Sequence, residues 1–479
     1  MAERFQQFID GEWVDASNGA TWDVVNPATE EVIRTVPFGN GDDCRTAIAA
    51  AEKAFKTWSR LTAYERAAVL MKTADLIRAR VDSLHTTNIA ESGKTIEDAK
   101  GDWLAAAALF EWFAEEGKRA YGRTIPAKKP GKRTIILRQP IGVVGVITAW
   151  NFPAYNPARS WAAALAAGCT VVARASEFTP LTAMQMAGLL HEAGLPKGVL
   201  NLINGDAHAM GQEMLNNPVC RKISFTGSSR VGRILMEGAA RTITRLNLEM
   251  GGNAPVIIFP DADLEFLQKT SVMAKFRCTG QVCISPQRFL VHQKIREEFV
   301  ERLAPQVKAL RVGNGARPET ELGPLINARQ RDRVEALVGA TAASGAQILA
   351  GGRRPADLPK GYFYEPTLLD NVKPDSPLFQ EEAFGPVLPV TPFDDVDEVI
   401  GLANATEYGL AAYVWTNNLK VAMRCSEALE FGMVGVNEWT PQSIEGPFGG
   451  WKQSGIGREC GQEGLEDYLE TKLVGIGGM

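Results

Sequence analysis

The chain has 479 residues, of which 45% are hydrophobic and 22% charged, with a formal net charge of -5. That length and balance predict a soluble globular protein of two or three packed domains. The absence of any Lys/Arg-rich block argues against a nucleic-acid partner, and the apolar stretches near residues 141–150 and 161–173 are too short for a bilayer, so no membrane association is expected. The opening Met1-Ala2-Glu3-Arg4 carries no apolar leader, so no signal peptide is expected. Seven cysteines without a CxxC pair predict reduced thiols and a cytoplasmic setting, and four scattered histidines predict no metal site. In chain order, Asp10-Gly11 between aromatic and β-branched residues predicts a small hairpin. Residues 41–119 read as helical and Ala-rich. The basic stretch Pro126 to Arg133 runs into a β-like segment at 134–137 and reads as an exposed arm. From 143 to 248 strands alternate with helices: strands at 143–148, 170–173, 199–203, 222–225 and 245–248, helices at 157–166, 181–192, 208–215 and 231–240. That alternation predicts a parallel α/β sheet of the dinucleotide-binding kind. A second α/β region follows, with helices at 295–310 and 330–343 and strands near 387–390 and 412–416. The tail 467–474 reads as a strand able to pair with the arm and build an oligomer.

The chemistry is carried by separated motifs. Phe276-Arg-Cys-Thr-Gly-Gln-Val-Cys283 places a Cys after Gly and Gln, between a helix-like run and a strand. A lone Cys there reads as a buried structural thiol. Three further segments change that weighting: Thr148-Ala-Trp-Asn-Phe-Pro153, Leu248-Glu-Met-Gly-Gly-Asn253 and Glu381-Glu-Ala-Phe-Gly-Pro386. With Phe225-Thr-Gly-Ser228 and Pro447-Phe-Gly-Gly450 they make six motifs in order along the chain.

Together these segments resemble the motif set of the aldehyde dehydrogenase superfamily, and the resemblance runs from Asp10-Gly-Glu-Trp13 to the C-terminal tail. It implies that Cys283 is the nucleophile that attacks an aldehyde. It implies that the Asn151 amide and the Cys283 backbone N–H hold the resulting oxyanion, each such donor being worth about 3–4 kcal/mol. Glu249 matches the general base that activates water against the thioester, and the scarcity of His fits a carboxylate in that role. Trp150, Gly227 and Ser228 fall in the cofactor motifs, and no GxGxxG is present. Ser228 and the helix after it are expected to meet a pyrophosphate. Glu382 is expected to hold the nicotinamide ribose, with Phe384 beside it. Arg174-Ala175 stands where the family usually has Lys-Pro. Glu177 matches the carboxylate that bonds the adenosine ribose, which favours NAD as the cofactor. Arg174 offers a planar fork to a phosphate and leaves NADP possible. Cys278 stands where the family usually has Asn, and reads as a buried thiol before a redox partner of Cys283.

Arg159, Arg277 and Ser443 match the carboxylate-binding Arg, Arg and Ser of succinate-semialdehyde dehydrogenases, while Gly280 to Pro286 is similar to 2-oxoglutarate-semialdehyde dehydrogenases. Two guanidiniums can clamp a distal carboxylate. Phe152, Trp161 and Trp439 are candidates for the pocket wall. The expected subunit has an NAD-binding part (1–121 and 141–250), a catalytic part (251–446) and an oligomerisation arm (122–140 with 464–479), forming a homodimer or homotetramer. A general aliphatic or aromatic aldehyde dehydrogenase and a non-catalytic structural protein on the same fold are the alternatives. The second should have lost Cys283, Asn151 or Glu249, and all three are present.

Overall fold

Asp10 and Gly11 both have positive φ, 49° and 78°, the backbone that a two-residue hairpin requires. They join Gln7–Ile9 to Glu12–Val14, as the sequence predicts. The computed structural model describes residues 5–478; residues 1–4, read above for a leader, and Met479, at the end of the expected arm, lie outside the described residues.

The predicted α/β alternation folds into an eight-stranded sheet. Its centre runs Leu200–Ile203, Thr170–Arg174, Val143–Ile147, Cys220–Thr226 and Arg245–Glu249, all parallel. In chain order this is 3-2-1-4-5, the doubly wound arrangement whose switch point lies between the first and fourth strands. Both faces are covered, so the inner strands Val143–Ile147 and Thr170–Arg174 are buried along their whole length. Val144, Val146, Val171 and Ala173 belong to one core, and Val143, Ile147 and Val172 to another. The Ala-rich segment resolves into three helices, Gly41–Trp58, Ala63–Ser92 and Ile96–Glu116. Each starts at a side-chain cap, Asn40, Thr62 and Thr95, which satisfies N–H groups that the first turn leaves free.

A seven-stranded sheet forms the second half, ordered Gln347–Ala350, Thr367–Asp370, Val387–Phe393, Pro286–His292, Ala254–Ile258, Ala411–Trp415 and Met433–Val436. Only the pairing of Gln347–Ala350 with its neighbour is antiparallel. The predicted arm and tail do pair: Arg133–Pro140 and Leu469–Ile476 are antiparallel along their whole length, Pro140 opposite Leu469 and Arg133 opposite Ile476, with Arg123–Ile125 on the other side. Among the described residues no helix is long and apolar enough to cross a membrane, and no cluster of His, Cys, Asp or Glu is placed to hold a metal ion.

Candidate active site

Glu249 ends the last parallel strand of the first sheet, and Gly251-Gly252 carry the chain straight into Ala254–Ile258 of the second. The carboxyl edge of one sheet therefore meets the amino edge of the other. Cys283 sits there, three residues before Pro286–His292. A side chain on Gly252 would come within 2.7 Å of the Cys283 carbonyl, so the close approach needs glycine.

The segment leading to Cys283 is bent. Cys278, Thr279 and Gly280 have φ of 50°, 59° and 70°, three left-handed residues in a row. The two that are not glycine cost about 1–2 kcal/mol each. Hydrogen bonds hold the bend: the Cys278 N–H donates to Asp98 Oδ2 at 3.0 Å, the Thr279 hydroxyl to Gly323 O at 3.1 Å, and the Ile326 N–H to Gln281 Oε1 at 3.0 Å. Beyond the nucleophile, the wholly buried Lys275 ammonium donates to Ser285 Oγ and Gln287 Oε1, both at 3.2 Å, and burial pushes its pKa down to about 7. Asn151 reaches the same loop: its Nδ2 donates to Gln281 O at 3.0 Å, and its Oδ1 accepts from Asn156 Nδ2 at 3.1 Å. The Asn156 contact fixes which end of the amide faces the Cys283 loop. Cys283 is half-buried. Burial pushes its thiol up to about 12, a shift that Arg159 opposes and Glu382 and Glu249 reinforce.

Glu249 is 3% exposed, and among the described residues neither carboxylate oxygen has a hydrogen-bond partner. Burial raises its carboxyl well above the ordinary carboxylate range, Glu459 adds to the rise, and Arg159 and Arg458 oppose it. Arg159 is 2% exposed. Its Nε pairs with Glu459 Oε2 at 2.5 Å, and its guanidinium lies 4.4 Å over the Phe448 ring. Ser160 and Ser224 donate to the other oxygen of Glu459 at 2.9 and 3.3 Å. Sequence reasoning missed Glu459, and its place in Gly457-Arg458-Glu459 carries no local signal.

The cofactor candidates come from the carboxyl ends of the first sheet's strands and from residues 381–385. Trp150 follows the first strand, and its ring meets Phe384 edge-on at 5.5 Å. Ser228 caps the helix Ser229–Ala239. A Cβ on Gly227 would lie 2.4 Å from the Phe225 ring, and one on Gly251 2.5 Å from Glu382 Oε2. Glu382 Oε1 accepts from the Gly252 N–H at 3.1 Å, and burial lifts its carboxyl to about 7. Arg174 and Glu177 are bound to each other: Arg174 Nη2 meets Glu177 Oε2 at 2.7 Å and Gly205 O at 2.9 Å.

A cavity of about 1110 Å³ opens onto Cys283. Phe152, Arg159, Arg277, Ser443 and Phe448 line it, so the three substrate candidates share one space. Arg277 is exposed, sits 5.9 Å from the Phe152 ring, and has no carboxylate partner among the described residues. Ser443 Oγ accepts from the Gly446 N–H at 3.0 Å, which leaves its proton available to donate. Trp161 and Trp439 do not wall the cavity. Trp161 is 1% exposed in the core, and Trp439 packs against Trp415 at 4.7 Å and donates to Thr270 Oγ1 at 2.9 Å.

The model of the aldehyde dehydrogenase family matches residues 13–474. This chain belongs to that family. It is 44% identical over 473 residues to a glutarate-semialdehyde dehydrogenase of Pseudomonas putida, covering 99% of this chain and 98% of the relative. An NADP-dependent succinate-semialdehyde dehydrogenase of Escherichia coli is 44% identical over 474 residues, with 99% and 98% covered. A betaine aldehyde dehydrogenase of Staphylococcus aureus, solved with NAD+, superposes with a TM-score of 0.97 at 38% identity, over 99% of this chain and 95% of that one.

This aldehyde dehydrogenase is an NAD(P)-dependent oxidoreductase. The cofactor candidates fit a dinucleotide. A capped helix N-terminus offers N–H groups to phosphate, Gly227 and Gly251 keep the backbone free of side chains, and the half-buried Glu382 offers acceptors to ribose hydroxyls.

Proposed function

We propose that this aldehyde dehydrogenase oxidises a carboxylate-bearing semialdehyde, such as succinate semialdehyde, to the acid through a thioester on Cys283. The observation that carries the substrate class is Arg277, a cation lining the Cys283 cavity that pairs with no carboxylate among the described residues. Ser443 adds a hydroxyl donor. Arg159 contributes apolar and cationic surface, but Glu459 already offsets its charge, so the distal carboxylate rests chiefly on Arg277 and Ser443. A cationic substrate would meet the same guanidinium and be repelled.

Cys283 gives its thiol proton to solvent, and Sγ bonds to the carbonyl carbon as the C=O π electrons move onto oxygen. The oxyanion formed is held by the Asn151 amide and the Cys283 N–H. Bound NAD(P) supplies the hydride acceptor. Collapse of the oxyanion expels the hydride with its electron pair and leaves the thioester. Glu249 then takes a proton from water, the hydroxide adds to the thioester carbon, and the Cys283 sulfur leaves with the acid released. A buried carboxylate with a raised pKa is suited to this work near neutral pH.

Trp150, Gly227, Ser228, Glu382 and Phe384 hold the cofactor in this reading, with Arg174 and Glu177 at the adenosine ribose. The Arg174–Glu177 pair blunts the charge that would repel a 2′-phosphate, so NAD is preferred and NADP is accepted. Residues 1–121 and 141–250 form the NAD-binding part, 251–446 the catalytic part, and 122–140 with 464–479 the arm of a cytoplasmic homodimer or homotetramer.

The test is kcat/KM for succinate semialdehyde against butanal, each with NAD and NADP, in wild type and Arg277→Ala. A preference above about a hundredfold for the acid aldehyde, on the order of 3 kcal/mol, which Arg277→Ala largely erases, supports the assignment. Equal values for the two aldehydes leave a general aldehyde dehydrogenase.

A further inference from the structure

The helix Ile96–Glu116 presents two carboxylates four residues apart, Asp98 and Asp102, and that spacing places both on one face. Each grips the backbone of a different catalytic segment. Asp98 Oδ2 accepts from the Cys278 N–H at 3.0 Å, at the start of the left-handed bend that delivers Cys283. Asp102 Oδ1 accepts from the Tyr155 N–H at 2.8 Å, and its Oδ2 lies 3.4 Å from the Ala154 N–H. Asp102 thereby caps the helix Tyr155–Ala167, whose own N-cap residue, Ala154, has no side-chain cap. Asp102 is 2% exposed and is itself held by Lys94 Nζ at 3.0 Å and Asn88 Nδ2 at 2.8 Å. Lys94 Nζ also sits 3.8 Å over the ring of Phe152, the residue after Asn151.

These contacts close a circuit. Asp102 fixes the helix start, Asn156 in the first turn of that helix fixes the Asn151 amide, Asn151 bonds Gln281 O, and Gln281 is tied through the bend to Cys278 and back to Asp98. One helical turn, about 5.4 Å long, spans the two ends. We propose that Asp98 and Asp102 are positioning residues that set the distance between the Asn151 amide and Cys283, and so act on the geometry of the oxyanion site and not on the intrinsic reactivity of the sulfur. This rests on the oxyanion role given to Asn151 above.

The experiment compares Asp98→Ala, Asp98→Asn, Asn151→Ala and the Asp98→Ala/Asn151→Ala double variant, each first checked by thermal unfolding. Asp98 is only half-buried, which favours folding of its variants, and Asp98→Asn keeps an acceptor for the Cys278 N–H. Two readouts are taken on each: the pre-steady-state burst of reduced nucleotide, and the rate of Cys283 alkylation by iodoacetamide, which needs no oxyanion site. Expected results are a burst at least about tenfold slower in Asp98→Ala, restoration to within about threefold in Asp98→Asn, and alkylation changed by less than about threefold throughout. The double variant should be no slower than Asn151→Ala, because the effect passes through the amide. A wild-type burst in Asp98→Ala, or a penalty that multiplies in full onto Asn151→Ala, overturns the proposal alone. A wild-type burst in Asn151→Ala overturns the oxyanion reading and this proposal with it.

Discussion

Glu249 is the residue whose chemistry depends most on its surroundings. Burial comes first, and the nearby Glu459 pushes in the same direction. The folded-state pKa therefore lies above the unfolded value, so the folded chain holds this proton more tightly. Stability linked to it is present at low pH and falls as pH rises from the ordinary carboxylate range through the folded pKa. Glu249→Gln cannot lose that proton, so the variant should gain stability relative to wild type as pH rises from 5 to 9, measured by thermal unfolding. The same substitution should keep the burst of reduced nucleotide while steady-state turnover falls by about 10²–10⁴-fold. Turnover within about tenfold of wild type would remove Glu249 from the base role. Motif order along the chain made this carboxylate visible. Its pairing environment was not visible, because Glu459 lies 210 positions away in sequence order of the same chain.

Among the elements, the bend at Cys278–Gly280 decides where the nucleophile stands. Gly280 has φ of 70°, and a Cβ there would lie 2.1 Å from the backbone oxygen of Gly385. No rotamer change relieves a contact with backbone, so Gly280→Ala must move one chain or the other. Displacement of about 1 Å at a reacting group costs on the order of a hundredfold in rate. We expect that loss in kcat/KM for Gly280→Ala, with the melting temperature reduced by only a few degrees, because the bend is a small part of the core. Wild-type kinetics in this variant would show that the bend does not set the position of Cys283. The sequence pattern Thr-Gly-Gln placed glycine before the nucleophile. The left-handed geometry of Cys278 and Thr279 was not legible there, since neither residue type favours it and only distant partners, Asp98 and Gly323, hold it.

At the scale of the molecule, the arm and tail form a three-stranded sheet that leaves apolar side chains in solvent. Leu473 is 67% exposed, and Leu137 and Ile125 are each 40% exposed. Leu473 and Ile125 share one face of this sheet and Leu137 lies on the other, and exposed apolar side chains of this kind are candidates for a subunit contact. In the oligomer proposed here, Leu473→Glu should lower the assembly's mass, read by size exclusion with light scattering at micromolar concentration. An unchanged mass would take this sheet out of the interface. The pairing itself is legible in two β-like segments far apart in sequence, one running on from the basic stretch Pro126 to Arg133 and one near the C-terminus.

Local rules and motif order determined a good deal without coordinates. Hairpin chemistry at Asp10-Gly11 and the alternation of strand and helix from 143 to 248 depend on neighbours in sequence, and the six motifs identified the family because their residue types stand in a set order. Tertiary structure alone decided which charges remain available. Arg159 and Arg277 look equivalent as residues, yet Glu459 takes the first and nothing among the described residues takes the second. Arg174 and Glu177 look like rival signals for the cofactor, yet they are each other's partners. Asp98 and Asp102 carry no motif at all. Their significance comes from contacts 180 and 53 positions away, and such contacts exist only once the sheets and helices have packed.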